Sequence, residues 1–498
     1  MSSVESMIAS HPYLQGAPKR MLIDGQWVEA ASGETMETIN PSTGKVLASF
    51  AKGGDEDVNR AVAAARRAFD GPWSKVKPME RQAMLLKLAD LVDQHFEELM
   101  VLDTLEMGAP ISRIVNNRFR AVGMLRYYAG QAVSIRGDII PNSIASGDFI
   151  SYAAKEPVGV VAAIIAWNSP LTATILKLGP ILAAGCTAVV KPSEEACLSP
   201  LRFAELIAEA GFPAGVVNVV TGLGSTVGAA LSLHQDVDKL AFTGSTATGQ
   251  KLIQASAGNI KRLALELGGK SAHIVFSDAD MDAALNAAAM GIFGNSGQSC
   301  GAGSRLFVER KIYDEFVQRV AEFGNKLKVG DAADPATQMG PLVSKAQLDR
   351  VSSYIAAGKE DGAKMISGGE RLTEGNLGDG FFIPPTVFRD ASNDMRISQE
   401  EIFGPVLSAM PFDEVDEVIG LANRINYGLG GGVWTQDIKK AMRLAQKVRT
   451  GQFWVNCYGV LDPSVPHGGM KMSGFGREQG PDHIYEFLDT KSVWIKTS

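Results

Sequence analysis

The sequence predicts an α/β protein made of two units in which strands alternate with helices. Three observations carry this reading. Between residues 158 and 266, short and nearly continuous apolar runs alternate with helical patterns, as in a parallel sheet covered on both faces. A second alternating stretch runs from Ser271 to about Val460, so the two units meet between Glu266 and Ser271. The 53 glycines gather with small polar residues at the ends of apolar runs, where tight turns and close backbone approach to a ligand belong.

Taken in order, residues 1–20 read as a loose leader without the apolar core of a secretory signal. Residues 55–69 place alanine and valine at helical spacing behind an acidic start, and 79–107 read as one or two more helices. The first alternating unit reads as strands at 158–166, 187–190, 216–220, 239–242 and 263–266. Helices are expected between them at 171–184, 199–210, 225–233 and 246–256, with Ser199 as N-cap and Pro200 at the first helical position of its helix. The stretches 148–155 and 492–496 alternate like exposed strands able to pair between subunits.

Length and composition set bounds. A chain of 498 residues, 45% hydrophobic and 21% charged, fits two or three globular domains. A net charge of -7 disfavours nucleic acid or an anionic membrane as partner, and no apolar stretch is long enough to span a membrane. Cys186, Cys197, Cys300 and Cys457 have no paired spacing, and the six histidines are scattered. No metal site or disulfide framework is therefore expected, and reduced thiols in a cytoplasmic setting fit best.

Cys300 sits in Gly297-Gln298-Ser299-Cys300-Gly301-Ala302-Gly303-Ser304-Arg305, among residues too small to bury a thiol in apolar bulk. A lone cysteine is more often core filler, but this setting suits a nucleophile. Trp167-Asn168-Ser169-Pro170 follows a strand, where open sheets place ligands, and Asn168 offers an amide suited to an oxyanion. Lys191-Pro192-Ser193-Glu194 follows the next strand and suits the hydroxyls of a nucleotide ribose, or is a surface turn. Phe242-Thr243-Gly244-Ser245-Thr246 joins a strand to a helix, a setting for a pyrophosphate. Gly222-Leu223-Gly224 resembles a dinucleotide fingerprint but has the wrong spacing. Glu266 ends an apolar strand, and partial burial there raises a carboxylate toward general-base range.

Taken together, these motifs resemble the aldehyde dehydrogenase superfamily over essentially the whole chain. The most specific pieces are Glu266–Ser271, Gly297–Arg305 and Glu400-Glu401-Ile402-Phe403-Gly404-Pro405. The resemblance implies a Rossmann-like cofactor domain (1–135 and 155–268), a second α/β catalytic domain (269–475) and a β oligomerisation arm with its C-terminal strand (136–154 and 476–498). It implies a homodimer or a homotetramer, with the arm paired to a neighbour's C-terminal strand.

By the same resemblance Cys300 is the nucleophile, Asn168 the oxyanion donor and Glu266 the base of a hydrolytic branch. Lys177 and Glu478 carry the proton away. The cofactor is NAD+, favoured by Glu194, with NADP+ left open. Its surface comprises Ile164, Ile165, Ala166, Trp167, Lys191, Ser193, Glu194, Gly224, Phe242, Gly244, Ser245 and Leu267, with Glu401 and Phe403 at the nicotinamide end. The aldehyde would meet Ser169, Leu176, Leu461 and His467, with Ser299 and Gly301 flanking the nucleophile. Asn116, Arg120 and Met124, at i, i+4 and i+8, point at the same tunnel. Arg120 reads first as a solvated arginine, and otherwise as a clamp for an acidic or hydroxylated tail. The tunnel lacks the aromatic box of a quaternary-ammonium site, which disfavours betaine aldehyde.

Overall fold

The computed structural model describes residues 11–114 and 117–498. Its first sheet has eight strands, in the spatial order Gln26–Val28, Met21–Ile23, Val217–Val219, Thr187–Lys191, Val160–Ile164, Lys239–Thr243, Arg262–Glu266 and Gly474–Phe475. The central five are parallel and the outer pairings antiparallel. The chain leaves Val160–Ile164 in one direction for two strands, then returns to its other side. This reversal opens a crevice at the C-terminal ends of Val160–Ile164 and Lys239–Thr243. Trp167-Asn168 and Gly244-Ser245 both emerge there. Apolar side chains cover both faces of the sheet, which is why its strands read as continuous apolar runs.

The second sheet has seven strands: Lys364–Ser367, Thr386–Arg389, Val406–Phe412, Arg305–Glu309, Ala272–Val275, Gly430–Trp434 and Gln452–Val455. All neighbours are parallel except the first pair. Its own apolar clusters lie on both faces. Among the described residues, no helix is long and apolar enough to cross a membrane, and no cluster of three potential metal ligands occurs. All four cysteines are unbonded to one another.

Three expectations are corrected. The helix expected at 199–210 is Leu198–Ala210, and Cys197 precedes it. Ser199 does not cap it. Its buried hydroxyl donates to Asp103, while the carboxylate of Glu106 accepts from the N–H groups of Cys197 (3.1 Å) and Leu198 (2.8 Å). The helix expected at 225–233 opens as a wide π turn, Gly224–Gly228, before Ala229–Leu233. The arm strand Phe149–Pro157 pairs along its whole length with Leu488–Lys496 of its own chain, not with a neighbour's.

Candidate active site

The Cys300 loop is shaped by a left-handed run. Asn295, Ser296 and Gly297 have φ of 54°, 55° and 71°. Only glycine fits at the last of these, because a Cβ there would collide with the Gly404 carbonyl. Gln298 is buried and locks the loop to its surroundings. Its Oε1 accepts from Val343 N–H (2.9 Å) and its Nε2 donates to the Asn295 carbonyl (3.3 Å). Nothing in the sequence marks Gln298, because the Val343 backbone that holds its side-chain oxygen lies 45 residues away. Asn168 donates one amide hydrogen to the Gln298 carbonyl (3.1 Å), which ties the first unit to the nucleophile loop. Its second amide hydrogen meets no acceptor among the described residues.

Gly269 brings the second half of the site close, since a Cβ there would strike the Cys300 carbonyl. Its N–H donates to Glu401 Oε1 at 3.0 Å. A cavity of about 10 Å³, room for about one water, lies between Gly269, Ser299, Glu401 and Phe403. Trp167 and Phe403 meet edge to face, with ring centroids 5.2 Å apart. Burial, then the carboxylates of Glu401 and Glu266, push the Cys300 thiol up to about 12, while the N–H of Gly301 pulls the other way. Burial raises Glu401 to about 7.

Glu266 is buried, and neither carboxylate oxygen has a hydrogen-bond partner among the described residues. His467 Nε2 stands 3.9 Å from Oε2. Burial first, and the charge of Glu478 second, hold Glu266 well above the usual carboxylate range, against Lys177 and Arg477. Behind it Lys177 and Glu478 form a buried ion pair. Burial alone would raise Glu478, but Lys177 outweighs it and keeps the group below its ordinary value. Burial lowers His467 to about 4, so its ring is neutral near pH 7.

At the crevice, Lys191 Nζ bonds Glu194 Oε2 at 2.7 Å, and Gly224 N–H donates to Glu194 Oε1 at 3.1 Å. Burial opposes ionisation of Glu194, yet Lys191 and the Gly224 N–H bring it below its ordinary value. Ser245 caps the helix Thr246–Ser256, its Oγ accepting from Thr248 N–H at 3.2 Å. The first N–H groups of that helix, beginning at Thr246, have no intrahelical acceptor and face the crevice end.

Several expected residues sit elsewhere or act differently. Met124 is wholly buried in the apolar core, 3.9 Å from Gln479 Nε2, and Leu176 is nearly so. The side chains of Ile165, Phe242 and Leu267 also belong to the core, which leaves only main-chain atoms for any ligand role. Arg120 is half-buried, not solvated. Its Nε is enclosed without a partner among the described residues, within electrostatic reach of Cys300 and Glu478. Asn116 lies outside the described residues. Lys270 was not anticipated. Burial, then Arg305, lowers its enclosed amine to about 7 beside Glu401.

The comparisons with known proteins agree over the full length. A model of the aldehyde dehydrogenase family matches residues 27–493. The mitochondrial aldehyde dehydrogenase of Equus caballus is 46% identical over 483 residues, covering 96% of this chain and 95% of that one. The mitochondrial benzaldehyde dehydrogenase of Antirrhinum majus is 46% identical over 477 residues, covering 95% and 88%. A structure of the aldehyde dehydrogenase from Bacillus cereus in complex with NAD+ superposes with a TM-score of 0.95 at 45% identity, covering 100% of this chain and 99% of that one. With its thiol loop, orphan carboxylate and two covered sheets joined at Glu266–Ser271, the chain belongs to the aldehyde dehydrogenase family.

Proposed function

We propose that the protein oxidises an aldehyde to the carboxylic acid with NAD+, through a thioester on Cys300 that water activated by Glu266 hydrolyses. The observation that carries this is the buried Glu266 carboxylate, whose two oxygens have no hydrogen-bond partner among the described residues. A group so placed accepts a proton from a water at low cost, because it gives up no hydrogen bond to do so. An acyl group passed to coenzyme A would need no such base.

The crevice fits the cofactor. The Glu194 carboxylate is held ionised by Lys191 and Gly224 where ribose hydroxyls would donate to it, and the helix opening at Thr246 offers free N–H groups to a pyrophosphate. Trp167 and Phe403 would flank the nicotinamide end, with Glu401 near its ribose. Bound NAD+ supplies the acceptor for the hydride that leaves the substrate carbon. The chain's own residues do the rest. The Cys300 thiol gives its proton to Glu266, from which it leaves through Lys177 and Glu478. The sulfur adds to the carbonyl carbon, and the free amide hydrogen of Asn168 and the Cys300 N–H hold the oxyanion. Its neutral thiol at rest limits wasteful alkylation. Glu266 takes a proton from the deacylating water, and Lys177 and Glu478 pass it outward.

The acyl pocket supports an oxygenated or hydrophobic aldehyde. Ser169, Leu461 and His467 bring no aromatic face for a cation, and the half-buried Arg120 repels one. The exposed apolar side chains of the arm, Ile139, Ile150 and Ile495 on one face and Trp494 on the other, support a homodimer or homotetramer.

The test is Glu266→Gln. A single turnover of NADH should appear as a burst, with the acyl group on Cys300 found by mass spectrometry. A steady-state rate unchanged by the substitution, with no burst and no adduct, overturns the assignment.

A further inference from the structure

We propose that Tyr458 is a positioning residue that sets the reactivity of Cys300 by fixing the Gly301 peptide. The inference rests on the reading of Cys300 as the nucleophile. The Tyr458 hydroxyl donates to the Gly301 carbonyl at 3.0 Å. Burial holds the phenol well above its ordinary titration range, so it stays a donor.

The ring lies in a slot built for it. A Cβ at Gly291 would come within 3.3 Å of its Cδ1, one at Gly303 within 3.2 Å of its Oη, and one at Gly432 within 2.8 Å of its Cδ2. These glycines come from a helix, the nucleophile loop and a strand of the second sheet. The His273 ring stacks on the fourth side, centroids 4.5 Å apart and 19° from parallel, and Trp454 leans on the ring at 4.8 Å. Neither nitrogen of the buried His273 has a partner among the described residues, and burial lowers it to about 3, so it serves here as a neutral plate.

The Gly301–Ala302 peptide is held at both ends, its carbonyl by Tyr458 and its N–H, from Ala302, by the Ser299 carbonyl at 3.1 Å. A Cβ built on Gly301 meets nothing within 4 Å. Holding the carbonyl anchors the Gly301 Cα and so restricts the φ rotation that turns Gly301's own N–H, a group that eases ionisation of the Cys300 thiol. That N–H favours the thiolate, so a loosened Gly301 leaves the thiol harder to ionise. The titratable and charged groups around the pair are Glu266, Glu401 and Arg120 on the thiol side, and His273 and Arg305 on the phenol side.

The experiment compares wild type and Tyr458→Phe as whole enzymes. Iodoacetamide modification of Cys300 is followed by mass spectrometry from acidic to alkaline pH, beside kcat, the KM for NAD+ and the melting temperature. The expected result is alkylation about fivefold slower at neutral pH, the scale of one net hydrogen bond. The profile should move to higher pH and kcat should fall, with the KM for NAD+ unchanged. A profile superimposable on wild type overturns the proposal, whatever happens to kcat or melting. Should Tyr458→Phe not fold, 3-fluorotyrosine at 458 keeps the shape and strengthens the donor. Faster alkylation supports the proposal and an unchanged rate overturns it. Alkylation reports on the thiol whether or not it turns over substrate. Retained activity in Cys300→Ala would therefore sink the proposed function separately.

Discussion

Glu266 and Cys300 face the same difficulty from opposite ends of one site. Each must be ionised to act, and burial opposes the charge on both. For Glu266 the sign is plain. Its folded value is raised, so at low pH the group is protonated and cannot take a proton from water. Deacylation should therefore rise with pH through that raised value. The pH profile of kcat should show an acid limb well above the ordinary carboxylate range, and Glu266→Gln should lack it. Cys300 and Glu266 were legible because their settings are local: small residues around a thiol, a carboxylate closing an apolar strand. Gln298, Lys270 and Tyr458 were not legible, because each works on groups brought near only by the fold. Met124 misled because helical spacing fixes a face and not what covers it; here the core does.

At the scale of elements, the turn after Thr187–Lys191 is expected to set cofactor choice. Both oxygens of Glu194 are engaged, by Lys191 and by Gly224, so the carboxylate cannot swing away from an added phosphate. A preference for NAD+ over NADP+ of at least about tenfold in kcat/KM is expected, or about 1.4 kcal/mol. Glu194→Gln should narrow it, by steady-state kinetics with each cofactor. The helix Leu198–Ala210 carries a second expectation. Its N-terminus is capped by Glu106, a residue 91 positions before Cys197, so local sequence pointed instead to Ser199. Burial raises Glu106 from 4.5 to about 8, against the pull of the Leu198 and Cys197 N–H groups. A folded value above the unfolded one means the native state holds the proton more tightly. Its stabilising effect is complete at acidic pH and is lost as pH rises toward 8. Glu106→Gln keeps an acceptor but no proton to lose. Its melting temperature, by calorimetry, should fall less across that window than wild type, by at least about 2 °C, the shift that about 1 kcal/mol produces in a large domain.

Across the whole molecule, the alternating pattern made both sheets legible, since near-continuous apolar strands require cover on both faces. The pairing of the arm was not. Alternation shows that a strand has one wet face but not whose strand lies beside it. Phe149–Pro157 and Leu488–Lys496 find each other within the chain, and Leu488–Lys496 remains an edge of that sheet. Its apolar side chains Trp494 and Ile495, with Ile150 opposite, stay exposed. Replacing Ile150 and Trp494 together with glutamate should lower the assembled mass measured by light scattering, while the melting of each subunit's sheets changes little.

The short strand Gly474–Phe475 lies beside Leu265 and Glu266, and Glu478 follows it to meet Lys177. Both partners were made more than two hundred residues earlier. A ribosome therefore releases the cofactor crevice and the thiol loop well before the edge that shelters the base. Until that last stretch emerges, Glu266 is wet and Lys177 unpaired. With Glu266 proposed as the base, the site is complete only once Gly474–Phe475 and Glu478 have been made.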